Sequence, residues 1–141
     1  GIILSLDQQQ IIVGGLQGLW AFDLNSGEVS NPQKLLDTPI DGLGKDCSGN
    51  IYVTTTRETP ERIDGQFVVI LDKLYQEIGR LKVSGIHIVT NIAFGGDDGK
   101  TLFVTGLTAP RDGNKLRQCG DKACLKAGVY TAKLNVQGFP F

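Results

Sequence analysis

Short runs of β-branched and aromatic residues, separated by clusters of Asp, Gly, Gln and Asn, fill most of the chain, and the arrangement recurs. "GIILSLDQQQIIVGG" from Gly1, "DGLGKDCSGNIYVTT" from Asp41 and "NIAFGGDDGKTLFVTG" from Asn91 share one order. Each has a short strand, a polar turn and a second strand. The second strands are Ile11-Ile12-Val13, Ile51-Tyr52-Val53 and Leu102-Phe103-Val104, and matching them brings Gly1, Gly42 and Ile92 into register. The following stretches, "GLWAFDLNSGEV" from Gly18, "GQFVVILDKLYQEI" from Gly65 and "GVYTAKLNVQGF" from Gly128, each read as strand, polar turn and return. Val129, Thr131 and Lys133 alternate with Tyr130, Ala132 and Leu134, which is the period of a strand. No segment keeps a helical period over a helix's length.

The pattern predicts an all-β chain built from four-stranded antiparallel units, and such units at this spacing are the signature of β-propeller blades. About three fit, over residues 1–40, 41–90 and 91–141 of a single domain, with the last return strand reduced to "GFPF". A closed propeller takes about four to eight blades. The expectation is therefore about half a ring, with two apolar blade faces left uncovered. Two polar insertions, over residues 54–65 and 106–127, fall between second and third strands, where loops are often functional. The chain starts on Gly and contains no Met, so a processed or excised piece is expected rather than a complete reading frame.

Composition narrows the function. Apolar residues make up 40% of the 141 residues and the net charge is −1, so no basic stripe for nucleic acid is present. No apolar run reaches the roughly 18 residues of a membrane span, and no signal-peptide pattern opens the chain. Cys119 and Cys124 in "CGDKAC" are spaced for a small disulfide loop or are two idle thiols. A disulfide would point to a secreted or periplasmic protein, its absence to a cytoplasmic one.

Candidate chemistry centres on Asp41. Residues that begin the inner strands of a propeller converge on its axis, and the register puts Asp41 level with Asn91. Oxygen donors gathered there suit a hard cation such as Ca²⁺ or Mg²⁺. The plainer reading makes both residues caps that bond nearby backbone. His87 reads as a loop or core residue and Trp20 as packing between blades. Cys47 reads as incidental in its turn, and Lys115 and Arg117 as loop cations within reach of an anionic substrate.

"IDGLGKDCSGNIYVTT" resembles the inner-strand motif of the SMP-30/gluconolactonase/luciferin-regenerating-enzyme family, with Ile40 where Pro is usual. "TNIAFGGDDGKTLFVTG" is similar to that family's next blade, and "GIILSLDQQQIIVGGLQGLWAFDLNSGEVS" to the one before. "GVYTAKLNVQGFPF" resembles its closing strand, so the likeness spans nearly the whole chain. It implies the C-terminal half of a six-bladed propeller. It also implies one divalent metal (Ca, Zn, Mg or Mn) held by a Glu, by Asn residues and by the Asp of this motif. Only Asp41 lands on such a ligand position; Asn91 lines the site at most. The implied reaction is hydrolysis of a lactone, a small-molecule substrate, with Asp41 as metal ligand and general base. A non-catalytic propeller that binds a protein or small ligand is the alternative, because fold does not fix function. On its own the chain is expected to be inactive, pairing with the missing half of the ring.

Overall fold

The computed structural model describes residues 1–55, 66–108, 111–112, 115–120 and 122–139. Those residues contain strands and turns and no helix, hence none able to cross a membrane.

In the first sheet β1 (Ile2–Leu4), β2 (Gln10–Gly15), β3 (Gly18–Asn25) and β4 (Glu28–Leu36) lie in chain order, each antiparallel to the next. A second sheet repeats this with β5 (Ile40–Lys45), β6 (Ile51–Thr55), β7 (Gln66–Leu71) and β8 (Glu77–Val83). The third begins with β9 (Ile88–Gly95) and β10 (Thr101–Thr108). Two small hairpins follow, β11 (Arg111–Asp112) with β12 (Lys115–Leu116) and β13 (Gln118–Cys119) with β14 (Lys122–Ala123). The chain then returns as β15 (Lys126–Lys133), paired with β10 along its length. Two four-stranded meanders and a three-stranded third sheet, in the order β15-β10-β9, thus follow one another along the chain as blades.

Strand periodicity decides how the blades stack. In β6, Ile51 and Val53 turn to one side with Val69 and Leu71, and join Ile12, Leu19 and Ala21 of the first blade in a buried cluster. Tyr52 turns the other way with Val68 and packs on Val89, Ile92, Leu102 and Val104 of the third blade. The second sheet is thus buried on both faces, which explains why β7 reads Phe67-Val68-Val69-Ile70-Leu71 with no polar residue between them. Burying such a side chain contributes roughly 1.5–3 kcal/mol, so these two interfaces hold the blades together.

The two outer faces differ, against the expectation that both are apolar. On the first blade Ile2, Val13 and Trp20 are successive partners across the strands, as are Leu4, Ile11 and Phe22, all on the side away from the second blade. Trp20 therefore lies on the face turned away from the second blade, with Lys34 Nζ 5.5 Å from its ring centre. On the third blade the corresponding rows are Ala93, Phe103 and Thr131, then Asn91, Thr105 and Val129. Threonine dilutes that face.

The C-terminal segment also departs from the expected return strand. Residues 137–139 stay tied to the third blade, where Gly138 N–H donates to Gly99 O (3.0 Å), and reach across to the turn of the second. Cys47 N–H donates to Gln137 O (2.9 Å), Phe139 N–H to Lys45 O (3.0 Å), and Gly138 bridges Asp46. A Cβ on Gly138 would fall 2.0 Å from Phe94 Cβ, so only glycine fits this crossing. Lys45 Nζ caps it, 4.1 Å above the Phe139 ring. In the long insertion Cys119 and Cys124 are joined in a disulfide, the first of the two arrangements their spacing allows.

Candidate active site

The leading halves of the three inner strands stand shoulder to shoulder. A Cβ on Gly1 would lie 2.9 Å from Asp41 O, and one on Gly42 would lie 2.6 Å from both Cα and Oδ1 of Asn91. Backbones approach this closely only because Gly42 has no side chain. Asp41 is thereby held beside the starts of β1 and β9, at the convergence of all three blades.

The ladder corrects the register by one residue in the third blade. Val13, Val53 and Val104 face Ile2, Leu43 and Ile92, so Gly1, Gly42 and Asn91 are the equivalent positions, and Thr90 matches Asp41. The cause is turn length: paired residues are farther apart in sequence across the β9–β10 turn than across β1–β2. Counting back from the second strand consequently stops one residue short. Asn91 also spends its side-chain oxygen locally, accepting from Ile92 N–H at 2.9 Å.

Why Asp41 is exposed follows from a bulge. Ile40 pairs with Thr55 and Leu43 with Val53, so Asp41 and Gly42 together oppose Thr54. The extra residue leaves the alternation that buries Ile40, Gly42, Leu43 and Gly44, and Asp41 is the exposed member of the run. Thr54, fully buried, accepts from Gly42 N–H at 2.6 Å and so pairs a donor that the bulge removes from the ladder. The third blade carries the same irregularity where Thr90 and Asn91 meet Thr105.

Asp41 provides the right kind of atom for a hard cation, an unencumbered carboxylate oxygen, but only a small part of a shell. Among the described residues no three His, Cys, Asp or Glu groups come together. Calcium takes about 6–8 oxygens, so most donors for a metal at Asp41 have to come from beyond these residues.

The most heavily bonded carboxylate is a different one. Asp46 is wholly buried at the other end of β5. Its Oδ1 accepts from Ser48 N–H (2.8 Å) and Asn50 N–H (2.9 Å), and its Oδ2 from Asn50 Nδ2 (2.8 Å) and the Tyr52 hydroxyl (3.1 Å). Burial, then the adjacent Asp46 charge, pushes the Tyr52 hydroxyl well above the usual tyrosine range. This network faces away from Asp41 and is structural. The sequence reading passed over Asp46, although an Asp stands in the same kind of turn elsewhere. Asp7 accepts from Gln9 N–H, Asp72 from Leu74 N–H and Asp98 from Lys100 N–H, always two residues on. That repetition was the available signal.

The remaining candidates disperse. His87 is half-buried and its N–H bonds Leu107 O (2.9 Å), closing the turn before β9. Cys47 is exposed, its thiol 3.2 Å from Gly138 O. Arg117 is exposed in the insertion, whereas the side chain of Lys115 and residues 56–65 lie outside the described set. An open depression of about 300 Å³ lined by Gln17, Lys34, Asp37 and Thr38 lies just ahead of β5, with the Thr38 hydroxyl unpartnered. A larger one, about 350 Å³ and lined by Leu4, Leu6, Lys45, Leu74 and Tyr75, opens at the far end of the sheets from Asp41.

Comparison with known proteins accords with this architecture. Residues 1–108 match the SMP-30/gluconolactonase/LRE-like region, and the chain belongs to that family. Pentonolactonase XacC of Haloferax volcanii is 32% identical over 122 residues, which cover 83% of this chain and 38% of that protein. A luciferin-regenerating enzyme superposes with a TM-score of 0.68 at 22% identity, over 99% of this chain and 46% of its own. Regucalcin of Agrobacterium tumefaciens, described as a calcium-binding protein, superposes with a TM-score of 0.58 at 22% identity, covering 82% and 39%. The fold is therefore that family's propeller, and the chain spans less than half of each of these relatives.

Proposed function

We propose that this chain forms part of a metal-dependent lactone hydrolase and supplies one side of its active site through Asp41. The observation that carries the proposal is the bulge that frees the Asp41 carboxylate at the convergence of three inner strands, in a chain related to a pentonolactonase. A bound divalent cation would polarise the ester carbonyl and stabilise the developing oxyanion. One Asp41 oxygen would hold that cation, and the other would accept a proton from the attacking water. Hydroxide equivalent adds to the carbonyl carbon, the ring C–O bond breaks, and the proton finishes on the departing ring oxygen. The product is the open hydroxy acid. Lactone strain makes a covalent nucleophile unnecessary, and Asp41 needs no histidine partner.

The open face of the first blade supports a larger ring. Ile2, Val13 and Trp20 occupy the positions that Leu43, Val53 and Val69 hold in the second blade, where all three are buried against a neighbour. A preceding blade fits there. The remaining metal donors belong to that part, so the 141 residues alone are inactive. The test is proton release from a panel of sugar lactones by the full-length protein, with and without chelator. A folded, metal-replete protein that opens no lactone would favour the non-catalytic binding propeller instead.

A further inference from the structure

We propose that Thr54 is the positioning residue for Asp41: its hydroxyl locks the Asp41–Gly42 bulge and fixes where the carboxylate stands. This rests on Asp41 being a metal ligand. The bulge costs Gly42 its ladder partner, and Gly42 is buried, so its N–H needs an acceptor within the protein. Thr54 provides it at 2.6 Å, and the same hydroxyl lies 3.4 Å from Gly42 O. One side chain thus grips both polar groups of the residue next to Asp41. Gly42 cannot retreat the other way, because Asn91 fills the space where its side chain would be.

A comparison within the chain separates this role from a general need for threonine in the second strand. Thr105 is the equivalent residue in the third blade and again meets a bulge, with its hydroxyl 2.9 Å from that of Thr90 and 3.4 Å from Asn91 O. In the first blade the equivalent is Gly14, which pairs with Gly1 by plain backbone bonds of 2.9 and 3.0 Å in each direction. The hydroxyl is present in both strands that carry the bulge. Groups that orient a metal ligand from behind typically contribute about 10–100-fold to metal affinity.

The test uses the full-length protein and Ca²⁺ alone, titrated by calorimetry, with Thr54→Val, Thr54→Ser, Thr105→Val and Asp41→Asn compared with wild type. Thr54→Val should weaken Ca²⁺ binding at least about tenfold, and Thr54→Ser should restore it to within about threefold. Thr105→Val should lower the melting temperature without a tenfold loss of affinity. Hydrogen exchange at the Gly42 amide gives a second readout: slow in wild type and Thr54→Ser, fast in Thr54→Val. Should Thr54→Val fail to fold, rapid exchange at Gly42 in the wild type would by itself overturn the proposal. Wild-type affinity in a folded Thr54→Val, with Asp41→Asn still deficient, would sink the positioning role alone. Unchanged affinity in Asp41→Asn would remove both it and the ligand role on which it depends.

Discussion

Asp41 and Asp46 stand five residues apart on one strand and its turn, and their surroundings divide the work between them. Asp46 is enclosed by four donors and braces the turn, whereas Asp41 is pushed out by a bulge and left available. Replacing Asp46 by Ala removes the acceptor of the Ser48 and Asn50 backbone N–H groups and of the buried Tyr52 hydroxyl. The expected cost is about 3 kcal/mol in chemical denaturation, without effect on any cation bound at Asp41. Tyr52 adds a pH dependence of known sign. Its folded pKa lies above its unfolded value, so its contribution is complete below about pH 10 and declines as pH rises further. Stability measured from pH 8 to 11 should fall at the alkaline end, and Tyr52→Phe should flatten that limb. Asp41 stands out in the sequence because it opens a recurring segment, although its counterpart in the third blade is Thr90 and not Asn91. Asp46 does not stand out, since a buried turn aspartate and an exposed one are written alike; only the four donors around it tell them apart.

At the scale of the element, the strands and their order followed from period-two alternation, and the turns from Asp, Gly and Asn. Registers did not. A β9–β10 turn one residue longer than that of β1–β2 and two longer than that of β5–β6 moved Asn91 from the level of Asp41 to that of Gly42, and no local residue announces such a length. The tail departs from a return strand for a related reason: besides Gly99 of its own blade, residues 137–139 bond Lys45 and Cys47, far away in sequence. Gly138→Ala tests that crossing. Its methyl would collide with Phe94, so the tail must detach or the third blade must shift. A loss of about 1–3 kcal/mol is expected, with new protease sensitivity beyond Leu134. Unchanged stability and an intact tail would contradict the crossing.

For the molecule as a whole, the repeat disclosed the propeller fold, and the faces carry the proposal of a larger ring. One open face is apolar and repeats the pattern of two buried interfaces; the other is interleaved with threonine, a difference hidden until each strand's register was known. The single Trp reports directly on the apolar face. Emission from Trp20 in the isolated chain should lie at longer wavelength than in the full-length protein, and Val13→Lys should prevent the two halves from associating. Equal emission in both forms would mean that nothing covers this blade.

The central claim is that Asp41 holds a catalytic cation, and lactone opening by the full-length protein tests it most directly. Proton release would be followed for wild type and Asp41→Ala, each before and after chelation and after Ca²⁺ is restored. The account predicts turnover in wild type that chelator abolishes and Ca²⁺ or another divalent ion restores. For Asp41→Ala it predicts a rate lower by at least about a hundredfold, the size expected when a general base is lost. Wild-type turnover in a folded Asp41→Ala protein would return Asp41 to the role of a turn residue and contradict the account.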